Sequence, residues 1–168
     1  MAEEYTSCCF TGHRANKLPW GYDEQDARCI ELKNAIAGAL EALYEGGCRR
    51  FICGMANGCD MYFGEAVMAL KAAHGDVTLE AAVPCDRQAA SWRSELKLRY
   101  EALLSGADKV TYVQHEYTRG CMMRRNRYMV ENSDTLLACF NGQPGGTMNT
   151  ILMAKRAGLK TFIIDITE

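Results

Sequence analysis

The chain has 168 residues, 48% of them apolar, which is enough for one well-buried core and too few for two ordinary domains, so a single domain over residues 1–168 is expected. Nineteen basic against 21 acidic residues leave a net charge of −2, so no global field draws the chain toward nucleic acid or an anionic membrane. The acidic opening "MAEEYTSCCF" lacks a basic segment leading into a long apolar run, and no other stretch approaches bilayer length, which predicts a cytoplasmic protein with no membrane partner.

Short apolar or β-branched runs alternate along the chain with longer amphipathic stretches. The first run, Ser7 to Phe10, leads into "TGHR"; Leu32, Ile36, Leu40 and Leu43 then form a helical stripe that the pair Gly46-Gly47 stops. The second run, Arg50 to Cys53, is followed by "GMANGCD" and a stripe of Phe63, Val67 and Leu70. Val77 to Val83 is the third, and Trp92, Leu96, Tyr100 and Leu103 make the next stripe. Lys109 to Val113 opens into "QHEYTRGCMMRRNRYMV", Thr135 to Phe140 into "NGQPGGTMNT", and Thr161 to Ile164 closes the series. Each run is continuous rather than alternating, the pattern of strands covered on both faces. The alternation predicts an α/β fold, a Rossmann-like three-layer sandwich with a mostly parallel sheet of about six strands and helices on both faces.

The nine cysteines are odd in number, and Cys8, Cys9, Cys53 and Cys139 sit inside apolar runs, which reads as buried thiols rather than a disulfide framework. No Cys-x-x-Cys pair occurs, and His13, His74 and His115 lack ligand spacing, so neither a metal nor another cofactor is expected.

In such a sheet, ligands bind beyond the carboxyl ends of the strands, and four of the loops there are unusual. After the fifth strand, Gly145 and Gly146 allow a sharp turn that leaves the amides of the next helix uncovered, which suits an anion such as phosphate. An ordinary glycine turn with Thr147 or Asn149 as the helix cap fits equally well. After the second strand, Gly54 and Gly58 flank small residues ahead of Asp60. Asp60 is either the N-cap of its own helix or an acceptor for a ligand hydroxyl. After the fourth strand, the stripe of Met122, Met129 and Val130 also carries Arg125 and Asn126, whereas Arg124 and Arg127 fall away from it. A guanidinium on a core-facing stripe needs a partner: strand-end carbonyls, or a bound phosphate or carboxylate that matches its planar fork. His13 and Arg14 add donors after the first strand, and Trp92 and Gln88 offer a core residue and its neighbour or, alternatively, a stacking surface and polar edge for a base. The chain has no Gly-x-Ser-x-Gly elbow, no Walker lysine motif and no close Ser/His/Asp set.

Taken in order, "TGHR", "GMANGCD", "PCDRQAASW", "NRYMVENSDTLLACFNG" and "GGTMNTILMAKRAG" resemble the YpsA-like branch of the SLOG superfamily, which joins the DNA-processing protein DprA/Smf to the LOG nucleotide phosphoribohydrolases. The resemblance implies nucleotide or nucleotide-derived ligands at the strand ends. "MMRRNRYM" is similar to the LOG motif Met-x-x-Arg-Lys-x-x-Met, which places Arg125 on its arginine and Asn126 on its lysine. "PGGTMNT" is two residues shorter than Pro-Gly-Gly-x-Gly-Thr-x-x-Glu and puts Thr150 where the LOG enzymes carry their glutamate. A threonine cannot act as a carboxylate base.

The expected function is therefore binding or sensing of a phosphate-bearing nucleotide-like small molecule. Phosphate is expected on Gly145, Gly146 and Thr147 with Arg125, and ribose or base toward Gly12, His13, Gly58 and Asp60. Two alternatives stand beside it. One is an N-glycosidic hydrolase drawing a carboxylate from Asp60, Asp86 or Glu116, and the other is single-stranded DNA binding through Arg124 and Arg127. A homodimer is expected from the resemblance.

Overall fold

The computed structural model describes residues 5–166. Six strands, β1 (Ser7–Thr11), β2 (Arg50–Cys53), β3 (Thr78–Val83), β4 (Lys109–Tyr112), β5 (Thr135–Phe140) and β6 (Lys160–Asp165), form one sheet in the order β4-β3-β2-β1-β5-β6. Every pairing is parallel. Five helices connect them: α1 (Ala27–Glu45), α2 (Cys59–Ala73), α3 (Ser94–Gly106), α4 (Cys121–Glu131) and α5 (Gly146–Arg156).

The continuous apolar runs work because successive strand residues point to opposite faces and both faces are covered. Cys8, Phe10, Phe51, Cys53, Leu79 and Ala81 pack with the apolar stripes of α1, α2 and α3. Cys9, Ile52, Ala82, Leu136 and Ala138 pack with Met129, Val130, Ile151 and Ala154 of α4 and α5. On α1 the stripe of Leu32, Ile36, Leu40 and Leu43 is buried as its spacing predicts, Asp26 caps the helix by accepting the Arg28 amide at 2.9 Å, and Gly46 ends it. Phe10 stacks on Phe63 of α2 with centroids 4.5 Å apart, and each such buried side chain contributes about 1.5–3 kcal/mol.

Two expectations need correction. The runs at β4 and β6 are not covered on both faces: they are the two edges of the sheet, with Val110, Tyr112, Phe162 and Ile163 partly exposed. Trp92 does not belong to the helical stripe, since α3 begins at Ser94; Trp92 lies in the preceding loop and packs edge-on against Tyr100 at 5.3 Å.

The layer assignment follows from the direction of travel. From β1 to β4 the chain moves one way across the sheet with α1, α2 and α3 on one face; it then returns past β1 to β5 and β6 with α4 and α5 on the other. Right-handed crossovers require this switch of face when the direction reverses. The reversal point lies between β1 and β5, where the loops leaving two neighbouring strands diverge and open a crevice. All nine cysteines are free and buried, and burial pushes the thiols of Cys9 and Cys48 up to about 12. Among the described residues no helix is long and apolar enough to cross a membrane.

Candidate functional site

A crevice of about 680 Å³ opens at the reversal point, between the loops that leave β1 and β5 and beside the first turns of α2 and α4. Nine residues singled out from the sequence line it: Gly12, His13, Arg14, Asp60, Arg125, Asn126, Gly145, Gly146 and Thr147. They come from the loop after β1 and from the starts of α2, α4 and α5, brought together because parallel strands all end at the same edge.

The β5 wall is built by an Asx turn, in which Asn141 accepts the Gln143 amide at 2.9 Å, followed by Gly145 at φ 151°. Gly145 is the N-cap of α5 and has no side chain with which to cap it, and the first helical bond runs from the Asn149 amide to the Gly145 carbonyl at 3.0 Å. The amides of Gly146, Thr147 and Met148 therefore precede the hydrogen-bonded turn, and the helix dipole adds partial positive charge there. Neither Thr147 nor Asn149 is the cap; both lie inside the helix.

The β1 wall supplies cations. Arg14 and Lys17 are exposed at its mouth, on either end of a short 3₁₀ turn (Ala15–Lys17), and the Lys17 Nζ lies 3.8 Å from where a Gly145 Cβ would stand. His13 is buried, and its Nε2 accepts the Asn141 amide at 3.2 Å, joining the two walls. Burial, aided by Lys17, lowers its pKa, so at neutral pH the ring is an acceptor rather than a cation.

The floor is formed by Arg125 and Asp60, which are 5% and 6% exposed. They flank Gly54 so tightly that a Cβ there would come 2.8 Å from the Arg125 guanidinium and 2.9 Å from Asp60 Oδ2. Arg125 donates through one terminal nitrogen to the Gly54 carbonyl and through Nε to Asn126 Oδ1 at 2.8 Å. Burial lowers the Arg125 pKa while Asp60 opposes the shift, and burial raises the Asp60 pKa while Arg125 opposes it. Asp60 is not the N-cap of α2; Gly58 is, and Asp60 Oδ2 reaches back to accept the Ala56 amide at 3.1 Å. Among the described residues, Asp60 is the one carboxylate that lines the crevice, against Arg14, Lys17 and Arg125.

Gly54, Gly58, Gln88 and Trp92, also singled out from the sequence as candidate ligand contacts, do not line it. Gly54 and Gly58 lie behind the floor and make it possible, since a Gly58 Cβ would meet the backbone of His13, Arg14 and Ala15 at 2.6–2.8 Å. Gln88 is tucked against the Gly54 carbonyl at 3.5 Å, and Trp92 packs on Tyr100. Asp86 is likewise outside, paired with His115 at 2.9 Å, and Glu116 is an exposed residue of the β4–α4 loop that does not line the crevice. Thr150 is fully buried rather than open to the crevice. Sequence reasoning missed Lys17, Asn141, Gln143 and Met122 as lining residues. Lys17 could have been found one helical turn past His13, but its role depends on a turn fixed from outside, by Asn57 Oδ1 accepting the Ala15 amide at 3.1 Å.

A family model described as the YspA SLOG family matches residues 8–164. The chain is 28% identical over 143 residues to the uncharacterized SPbeta prophage-derived protein YoqJ of Bacillus subtilis (strain 168), covering 77% of this chain and 84% of that protein. It is 28% identical over 152 residues to a UPF0398 protein of Bacillus anthracis (strain A0248), covering 88% and 82% respectively. Among solved structures, DNA processing protein A of Helicobacter pylori, described with a single-stranded DNA binding mode, superposes with a TM-score of 0.61 at 16% identity over 94% of this chain. DNA processing protein A of Streptococcus pneumoniae superposes with a TM-score of 0.60 at 12% identity over 97% of it. This chain spans only 64% and 54% of those two proteins, and the likeness is one of fold.

Proposed function

The chain belongs to the YspA SLOG family, and from that premise we propose that it binds a phosphate-bearing nucleotide or nucleotide-derived small molecule in the crevice between β1 and β5. The observation that carries this reading is the uncapped first turn of α5 facing Arg14, Lys17 and Arg125. Three cations and a helix N-terminus against one buried carboxylate make a seat for a dianion. Asp60 is the polar group suited to a ribose hydroxyl, and the half-buried Met122 and Met123 form an apolar part of the lining on which a base would lie. Among the described residues, an N-glycosidic hydrolase would have only Asp60 to use as its carboxylate in this crevice.

Calorimetry against a panel of nucleoside monophosphates, diphosphates, cyclic nucleotides and NAD tests the reading. Saturable binding that drops at least tenfold in Arg125→Ala, about 1.4 kcal/mol or more, is the expected result. Silence across the panel would falsify it. A second reading, single-stranded DNA binding, is favoured by the fold shared with the Helicobacter pylori protein and by the exposure of Arg14 and Lys17. It predicts gel shifts of oligonucleotides that weaken steeply with salt and are not displaced by mononucleotides. The homodimer expected from the resemblance is checked by light scattering, where a mass near that of the 18.7 kDa monomer overturns it.

A further inference from the structure

Behind Arg125 runs a buried hydrogen-bond chain whose direction is fixed at both ends, by the Arg125 Nε–H, which can only donate, and by the Thr150 hydroxyl, whose one proton is committed elsewhere. The Thr150 hydroxyl is fully buried and donates to the Gly146 carbonyl at 2.9 Å. With its one proton committed, the oxygen can only accept, and it accepts from Asn126 Nδ2 at 3.0 Å. A carboxamide carries its donor and its acceptor on opposite branches, so turning Nδ2 toward Thr150 turns Oδ1 toward Arg125, where it accepts from Nε at 2.8 Å. A flipped amide would set NH₂ against the Nε–H of Arg125, donor against donor.

We propose that Thr150 is a positioning residue: through the polarity of this chain it holds Asn126 in the one orientation that orients Arg125, and it ties that guanidinium to the first turn of α5. The same hydroxyl grips Gly146, the first residue of the uncapped helix, so the two halves of the proposed anion seat are held by one side chain. The inference rests on the crevice reading for its functional consequence, but the orientation of Arg125 is measurable without any ligand.

The test uses Thr150→Val, which is close to isosteric and lacks the hydroxyl, and Thr150→Ser, which restores it. One readout is the ¹H–¹⁵N signal of the Arg125 Nε–H, assigned by its disappearance in Arg125→Lys. The other is calorimetric affinity for AMP and for inorganic phosphate. The Nε–H signal is expected to shift and lose solvent protection in Thr150→Val, with affinity about tenfold weaker, and both are expected to recover in Thr150→Ser. The double variant Thr150→Val/Asn126→Asp is expected to regain the protected Nε–H, because a carboxylate has no wrong face to present to Arg125. An unchanged Nε–H signal in Thr150→Val overturns the proposal. Should Thr150→Val fail to fold, Thr150→Ala takes its place, and an unchanged Nε–H signal there overturns the proposal. If the wild-type protein binds neither probe, the crevice reading fails while the Nε–H measurement still decides the role of Thr150. A changed signal with unchanged affinity upholds Thr150 as the positioning residue and removes Arg125 from the anion seat.

Discussion

The chain carries two glycine-rich loops at the same edge of the sheet, "CGMANGCD" after β2 and "NGQPGGT" after β5, and they use glycine in opposite ways. In the first, a side chain has nowhere to go. A Cβ on Gly58 would strike backbone atoms of the β1 loop, and one on Gly54 would strike Arg125 and Asp60. In the second, a Cβ on Gly146 would meet nothing within 4 Å, and one on Gly145 only the Lys17 Nζ at 3.8 Å. Glycine in the β2 loop lets protein approach protein, whereas glycine in the β5 loop leaves amides facing open space. Two loops that look alike as sequence are thus a packing device and a candidate binding surface.

Substitutions separate the two roles. The largest expected effect is at Gly58, where φ is +80° and the obstructing atoms are backbone. Gly58→Ala combines left-handed strain with overpacking and is expected to cost about 3 kcal/mol or more in urea unfolding; a loss under 1 kcal/mol would break the contrast between the loops. Gly54→Ala presses on side-chain rather than backbone atoms and is expected to cost about 1–3 kcal/mol. It also displaces the Arg125 guanidinium, so nucleotide affinity should fall with stability. Gly146→Ala should show the reverse pattern, with stability unchanged within about 0.5 kcal/mol and affinity about tenfold lower, because a methyl group then stands over the amides. Equal binding by Gly146→Ala and wild type would remove the open turn from the site.

The smallest effect concerns the ring that joins the two walls. His13 titrates at a lowered pKa in the fold, below its ordinary 6.5. The unfolded chain therefore binds the extra proton first, and stability should decline as pH falls below about 6.5, by less than about 1.4 kcal/mol per unit. Asp60, whose pKa is raised, has the opposite sign: the folded state holds its proton above 3.8, so its contribution improves as pH falls. Both proteins keep Asp60, so subtracting the His13→Gln profile from that of the wild type isolates the histidine. A difference that does not vary between pH 7 and 5 would mean His13 is not held neutral.

Much of this architecture could be read locally. Parallel strands buried on both faces leave unbroken apolar runs, and the helical stripes of α1 and α2 repeat at the spacing that one buried face demands, so element type and order were legible. The loops worth inspecting were legible too, because strands that run parallel must end together. The positions of individual side chains were less so. Trp92 looked like the start of a helical stripe since its spacing to Leu96 and Tyr100 fits, yet the helix begins two residues later. Asp60 looked like a cap, but the loop before it turns back on itself at Met55, φ 65°, and offers the Ala56 amide instead. Gln88 stays behind the floor, where it donates to the same Gly54 carbonyl that Arg125 uses.

What the chain determined by itself was everything with a local period or a local backbone requirement: the strands, the helix faces, the core-facing placement of Arg125, and the places where only glycine turns tightly. Tertiary structure alone decided that β1 and β5 are neighbours, that β4 and β6 are edges, and that one glycine loop is closed while the other is open. Those outcomes depend on contacts such as the Asn141 amide on His13, 128 residues apart. No local pattern encodes such a contact, because its geometry exists only once the strands between have taken their order.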